Sequence, residues 1–150
     1  MGLQEQVMTE MKAAMKAKDT VALEALRAIK SALLLAGTEK GASGGLSETD
    51  EIKLVQKLVK QRKDSATIFK EQGRTDLAEP ELAQAAIIEK FLPEQLDETE
   101  IKKVVLETIE SVGASGMKDM GKVMGIVSKR LAGKADGKTI STLVKAQLSS

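Results

Sequence analysis

The sequence predicts an all-α, multihelical protein with two subdomains, about four N-terminal helices followed by a C-terminal three-helix bundle. The chain is rich in Ala, Leu, Lys, Glu and Met, most of which favour helices. Its apolar residues recur every three or four positions, and the strict alternation typical of strands is hard to find. Capping residues and glycines divide the 150 residues into seven segments of helical length.

The first two helices are predicted from apolar stripes and one cap. The first runs from about Leu3 to Lys16, and one of its sides is apolar: Val7, Met8, Met11 and Met15. Asp19 is expected to be the N-cap of the second helix. The stripe of that helix alternates spacings of four and three residues: Ala22, Leu26, Ile29, Leu33 and Ala36. Gly37 and then the glycine-rich segment 41–45 are expected to end it in a loop.

The third and fourth helices are bounded by a capping box, a glycine and two prolines. Ser47 and Asp50 resemble a capping box at the start of the third helix. This helix is expected to run to about Gln72, with Gly73 as its C′ residue. The fourth is expected to start at Asp76 or Glu79, with Pro80 in its first turn, and to end near segment 91–93.

Three further helices follow Pro93, which restricts the residue before it and marks a subdomain boundary. The fifth helix opens with a capping box at Asp97 and ends at Gly113. The sixth is predicted from about Met117 to Ala132, and the seventh from about Lys138 to Leu148. We therefore place one subdomain at residues 1–92 and a second at residues 93–150, the second being short enough that its own core is marginal.

The composition excludes several classes of enzyme. The chain has no Cys, His, Trp or Tyr, so disulfides, thiolate nucleophiles, zinc–sulfur sites and the Ser-His-Asp triad are impossible. We predict no catalytic residues, no metal and no cofactor. The N-terminus has no signal peptide pattern and no apolar run approaches the roughly 20 residues that cross a bilayer. We therefore expect a cytoplasmic protein without a membrane partner.

Charge is unevenly distributed in the second subdomain. Residues 94–110 carry a net charge of −4, whereas residues 118–150 carry +5. In the predicted sixth helix, four apolar residues share one arc that should be buried: Met120, Met124, Val127 and Leu131. Lys118, Lys122 and Lys129 fall within about 40° of one another on the opposite face, at about 100° per residue. Two glycines lie beside that basic face: Gly121 and Gly125.

Two interpretations of this face stay open. In the first, the glycines let a large ligand come close, and the helix docks on RNA through phosphates and shape. In the second, the lysines are a solvated surface and the glycines admit a neighbouring helix. On this helix the candidate RNA-binding residues are Lys118, Gly121, Lys122, Gly125 and Lys129.

Three weaker patterns are given structural interpretations. A second basic stripe in the third helix is interpreted as a solvated surface: Lys53, Lys57, Lys60, Arg62 and Lys63. Segment 132–139 matches a loose P-loop pattern, but a helix precedes it where a P-loop needs a strand, so we interpret it as a linker. Segment 41–45 is similar to the Gly/Ser-rich loops of Ser-Lys amidases, but a loop between surface helices lacks the rigid scaffold such a nucleophile needs.

Two groups of motifs carry a family resemblance. The block Asp119–Gly125, the linker Gly133–Gly137 and the closing Leu143–Lys145 resemble the C-terminal tail of GatB, the tRNA-recognising subunit of glutamine-dependent aminoacyl-tRNA amidotransferase. Segments 27–32 and 91–96 are similar to the free-standing YqeY proteins. The resemblance covers essentially the whole chain. It implies an all-helical fold of two subdomains whose tail-like part contacts tRNA at the elbow region. With this resemblance, the candidate RNA-binding set extends from the sixth helix to the end of the chain: Lys118, Gly121, Lys122, Gly125, Lys129, Arg130, Lys134, Lys138 and Lys145.

The resemblance also brings a label, glutamine-dependent carbon–nitrogen ligase activity. This chain lacks the ATP-dependent kinase cradle and metal site of GatB and the separate amidase subunit, so the label implies association and not activity. Our first hypothesis is a non-catalytic tRNA- or RNA-binding module. The alternative is a protein-interaction module that docks on an acidic partner, such as an amidotransferase or aminoacyl-tRNA synthetase subunit. A third hypothesis is an accessory subunit in transamidation.

Overall fold

The computed structural model describes residues 2–39 and 46–149, and the regular structure in these ranges is entirely helical. The all-α class predicted from the sequence is confirmed. Seven α-helices and one short 3-10 helix follow one another along the described residues: α1 Leu3–Ala17, α2 Thr20–Glu39, α3 Glu48–Glu71, α4 Thr75–Glu89, α5 Glu98–Val112, the 3-10 helix Met117–Asp119, α6 Met120–Arg130 and α7 Gly137–Leu148.

The chain divides into two compact units, Met1–Leu92 and Pro93–Ser150, which we call the N-terminal and C-terminal units. Each unit has its own apolar core. In the N-terminal unit, α3 packs along α4, α1 packs on α2, and α2 contacts both α3 and α4. The core of this unit is centred on fully buried side chains such as Val7, Ile29 and Ile88.

The C-terminal unit is a three-helix arrangement in which α5, α6 and α7 contact one another pairwise. Its core is centred on four valines that are completely enclosed: Val105, Val123, Val127 and Val144. Because each helix contributes apolar residues at spacings of three or four, the opposite faces of the helices carry the polar residues.

The helix caps follow the local sequence closely. The Ser47 hydroxyl accepts a hydrogen bond from the Asp50 amide, and the Asp50 carboxylate accepts one from the Ser47 amide, which completes the capping box. The Asp97 carboxylate accepts a hydrogen bond from the Glu100 amide, and the Asp19 carboxylate accepts one from the Ala22 amide. Gly73 (φ 72°) has the left-handed conformation that suits a helix end. These caps confirm the predicted starts of the second, third and fifth helices.

Two predicted boundaries in the N-terminal unit are wrong. Gly37 does not end α2, which continues to Glu39. One glycine costs a helix about 1 kcal/mol relative to Ala, which neighbouring helical residues can offset. Helix α4 starts at Thr75, before the predicted Asp76 or Glu79, so Pro80 lies inside the helix and not in its first turn.

The predicted sixth helix is also shorter than expected. Residues 117–119 form a 3-10 turn, where the Asp119 carboxylate accepts a hydrogen bond from the Ser115 amide, and α6 proper ends at Arg130. The loose P-loop match runs from the linker between α6 and α7 into the first turn of α7, and no strand precedes it in the part of the chain that the structure describes. The amidase-like segment 41–45 lies outside the described residues.

Candidate nucleic-acid interface

Burial of one side of α6 determines which residues face outward. Val123 and Val127 are fully enclosed and Leu131 is buried at the helix end, whereas Met120 and Met124 are partly buried against the same core. The apolar arc predicted from the sequence did not include Val123. This residue lies at the edge of the predicted arc and follows Lys122 in the sequence. At about 100° per residue, a helix with this buried side must expose the side that carries Lys122 and Lys129.

The exposed side of α6 carries two lysines and two glycines: Gly121, Lys122, Gly125 and Lys129. A Cβ atom built on Gly121 or Gly125 would meet no heavy atom within 4 Å other than those of its chain neighbours and of its own helix backbone. The alternative in which these glycines admit a neighbouring helix therefore receives no support from the described residues. Each glycine costs the helix about 1 kcal/mol relative to Ala, and no packing contact among those residues requires it.

Lys118 and Arg130 have different surroundings from the lysines of α6. Lys118 is exposed in the 3-10 helix, so the helical projection that placed it with Lys122 does not describe it. Arg130 is half-exposed and forms an ion pair with Glu107 (Nη2–Oε2 3.4 Å). It also donates a hydrogen bond to the hydroxyl of Thr108, 3.4 Å away. Arg130 thus links α6 to α5, and its charge is partly neutralised within the unit.

Lys134 lies in the linker between α6 and α7, whose residues alternate between buried and exposed. Leu131, Gly133 and Ala135 are buried, whereas Lys134 is exposed. Gly133 has φ of 78°, a conformation that favours glycine. The Lys134 amide donates to the Leu131 carbonyl at 2.9 Å. The backbone amide of this lysine is therefore bonded to the C-cap residue of α6.

The two remaining candidates lie on α7. Its buried residues are Ile140, Val144 and Leu148, at spacings of four. Lys138 and Lys145 are seven residues apart, so they share a face, and both are exposed. All nine candidate residues are exposed at the surface of the C-terminal unit.

Three residues of the basic stripe of α3 form bonds to neighbouring side chains. Lys60 pairs with Asp64 at 3.0 Å and Lys63 with Glu89 at 3.5 Å. Arg62 donates a hydrogen bond to the side-chain oxygen of Gln84 at 3.1 Å. These exposed contacts favour the predicted interpretation of the stripe as a solvated surface.

One groove of the N-terminal unit has a volume of about 540 Å³ and lies against α1, α2 and the end of α4. Small and apolar residues such as Ala13, Ala14 and Leu26 form most of its walls. One of its acidic side chains, Asp19, caps α2. Among the described residues, no three acidic side chains converge as a metal site, and none of the described helices is long and apolar enough to cross a membrane.

Comparison with known proteins finds a matching family model and several similar proteins. The family model described as Yqey-like protein matches residues 4–148. Altered inheritance of mitochondria protein 41 of Pyrenophora tritici-repentis is 30% identical over 128 residues, which cover 84% of this chain and 69% of that protein. The protein of the same name from Clavispora lusitaniae is 34% identical over 125 residues, covering 81% of this chain and 69% of that protein.

Other similar proteins are much longer than this chain. One of them is a component of the glutamyl-tRNA(Gln) amidotransferase of Thermococcus gammatolerans. This component is 34% identical to the chain over 103 residues. The match covers 66% of this chain but 16% of that component. The similarity thus extends over about a sixth of a much larger protein.

Proposed function

The chain belongs to the Yqey-like protein family, and from that premise we propose that its C-terminal unit is a non-catalytic module that binds tRNA or another structured RNA. The observation that carries the proposal is the exposed face of α6, where two lysines stand beside two glycines that have open space above them. One group of relatives is named for an amidotransferase that acts on glutamyl-tRNA(Gln), which supports tRNA as the first RNA to test.

The lysines would supply the affinity for the RNA phosphates. The glycines would let the RNA backbone come close to the helix. A lysine ammonium group near a phosphate releases condensed counterions, so the affinity falls as the salt concentration rises. A helix face without side chains lets a sugar–phosphate backbone approach the main chain, which suits recognition of RNA by its shape. The absence of His and Cys from the chain supports a binding role without catalysis.

The experiment is a titration of the full chain with a folded tRNA transcript at two salt concentrations. We expect salt-sensitive binding that is lost in the variant Lys118→Glu/Lys122→Glu/Lys129→Glu. A matched control, Lys12→Glu/Lys53→Glu/Lys57→Glu, reverses three exposed lysines of the N-terminal unit and should bind at close to the wild-type affinity. Absence of binding at low salt, or equal loss in both variants, would refute an RNA site on α6.

A second candidate function is favoured by one specific observation, the match to a small part of the amidotransferase component. In this alternative the same face docks on an acidic surface of an amidotransferase or aminoacyl-tRNA synthetase component, or the chain serves as an accessory subunit in transamidation. The chain has no Trp or Tyr, so an absorbance at 260 nm in the purified protein would reveal bound nucleic acid. A clean ultraviolet spectrum together with binding to a purified component would favour the protein partner.

The cellular location stays a prediction. The sequence favours the cytoplasm, whereas two relatives carry names that place them in mitochondria. Fluorescence microscopy of the tagged chain in its own cells would test the cytoplasmic prediction.

A further inference from the structure

Two motifs that are far apart in the sequence meet in the C-terminal unit. The segment that follows Pro93 leads into α5, whereas the linker Gly133–Gly137 joins α6 to α7. The Gln95 side-chain amide nitrogen donates to the Gly133 carbonyl at 2.6 Å and to the Pro93 carbonyl at 2.8 Å. The proposed RNA face has no direct use for Gln95, so this bridge needs an explanation of its own.

The bridge continues along the backbone to a candidate RNA-binding residue. The amide of Leu96 donates to the carbonyl of Lys134 at 2.9 Å. Gln95 is part-buried, and the Gly133 it binds has the left-handed conformation. Two hydrogen bonds therefore join segment 95–96 to Gly133 and Lys134 of the linker, and a third, from Gln95 to Pro93, lies within the segment.

We propose that Gln95 is a positioning residue of the RNA site, which holds the linker so that Lys134 makes a phosphate contact. This inference rests on the proposed function and names a residue that contacts no RNA itself. A linker held in one conformation loses less entropy on binding than a free one. Without the Gln95 bonds, Lys134 would keep its charge but lose its fixed position.

The test measures the dependence of the affinity for the tRNA transcript on salt concentration. The slope of log K against log salt is negative, and loss of one phosphate contact should make it less steep by about 0.7 to 0.9. We expect Lys134→Ala to produce this change. The uncharged substitution Gln95→Met keeps the side-chain length and removes the donor. We expect it to make the slope less steep by a similar amount. The double variant should show no further change.

The control is Gln61→Met, an equivalent change at an exposed glutamine of α3, which should leave the slope unchanged. A merely structural role of Gln95 would lower the fraction of folded protein without changing the slope. If Gln95→Met fails to fold by circular dichroism, Gln95→Asn retains the amide at a shorter reach, and its slope should lie between those of the wild type and Lys134→Ala.

The outcomes separate the inference from the proposed function. If the triple lysine variant loses binding but Gln95→Met keeps the wild-type slope, the role of Gln95 is refuted and the RNA site on α6 stands. An unchanged slope in Lys134→Ala also refutes the role of Gln95. If the triple lysine variant binds as the wild type does, the RNA site on α6 is wrong and the inference falls with it.

Discussion

At the scale of single residues, Gly121 and Gly125 permit a test in which stability and binding change in opposite directions. Both lie in helical backbone with open space where a Cβ would stand. Ala at either position should therefore raise the free energy of unfolding by up to about 1 kcal/mol. If RNA approaches this face closely, the added methyl groups should weaken binding of the tRNA transcript.

Gly37 is the matched control for this prediction, because it also lies inside a helix and also has open space at its Cβ position. Gly37→Ala should raise the stability without affecting RNA binding. Urea unfolding and the titration together check all three variants. Wild-type affinity in Gly121→Ala/Gly125→Ala would contradict the close approach of RNA to α6.

Asp76 gives a prediction about pH. The guanidinium of Arg74 donates two hydrogen bonds to this carboxylate, at 3.1 and 3.0 Å, and lowers its pKa below the usual value. A carboxylate with a lowered pKa stabilises the fold above its unfolded pKa of about 3.9. That contribution is lost as the pH falls through the folded pKa.

Asp76→Asn removes this titration. Urea unfolding from pH 7 down to pH 2 should show the wild type more stable at neutral pH, with a difference that disappears in acid. The contribution is small because both side chains are exposed. A difference that grew as the pH fell would contradict the sign of this linkage.

At the scale of helices, the sequence predicted what depends on local interactions. The caps at Ser47 and Asp97 and the helix ends at Gly73 and Gly113 involve residues within a few positions of one another, so their signals are visible in the sequence. The start of α6 was misplaced because the change from a 3-10 turn to an α-helix leaves no compositional signal. The extension of α2 past Gly37 likewise goes against the local preference of glycine.

The candidate site was predictable only in part, for the same reason. Helical periodicity placed Lys122 and Lys129 on a face away from the core, and both are exposed. The bonds from Gln95 to Gly133 and from Arg130 to Thr108 join residues 38 and 22 positions apart. No periodicity or motif encodes such pairs, since they depend on how α5, α6 and α7 pack.

At the scale of the whole molecule, each of the two apolar cores is formed within one unit. The cluster around Val105, Val123, Val127 and Val144 draws all its members from the C-terminal unit, and so do the bonds of Gln95. All nine candidate RNA-binding residues belong to this unit as well. The proposed binding surface and the interactions that support it are therefore contained in fewer than half of the residues.

Because the core and all nine candidate residues belong to the C-terminal unit, we expect a fragment of residues 93–150 to keep its helices. It should bind the tRNA transcript with an affinity close to that of the full chain. The fragment has a small core, so its thermal unfolding midpoint should be low, although caps and buried valines are retained. Circular dichroism establishes folding and the titration establishes binding, with residues 1–92 as the counterpart. A folded fragment with much weaker binding would show that the N-terminal unit contributes to the RNA site, and the lysines of α3 would then be the first residues to mutate.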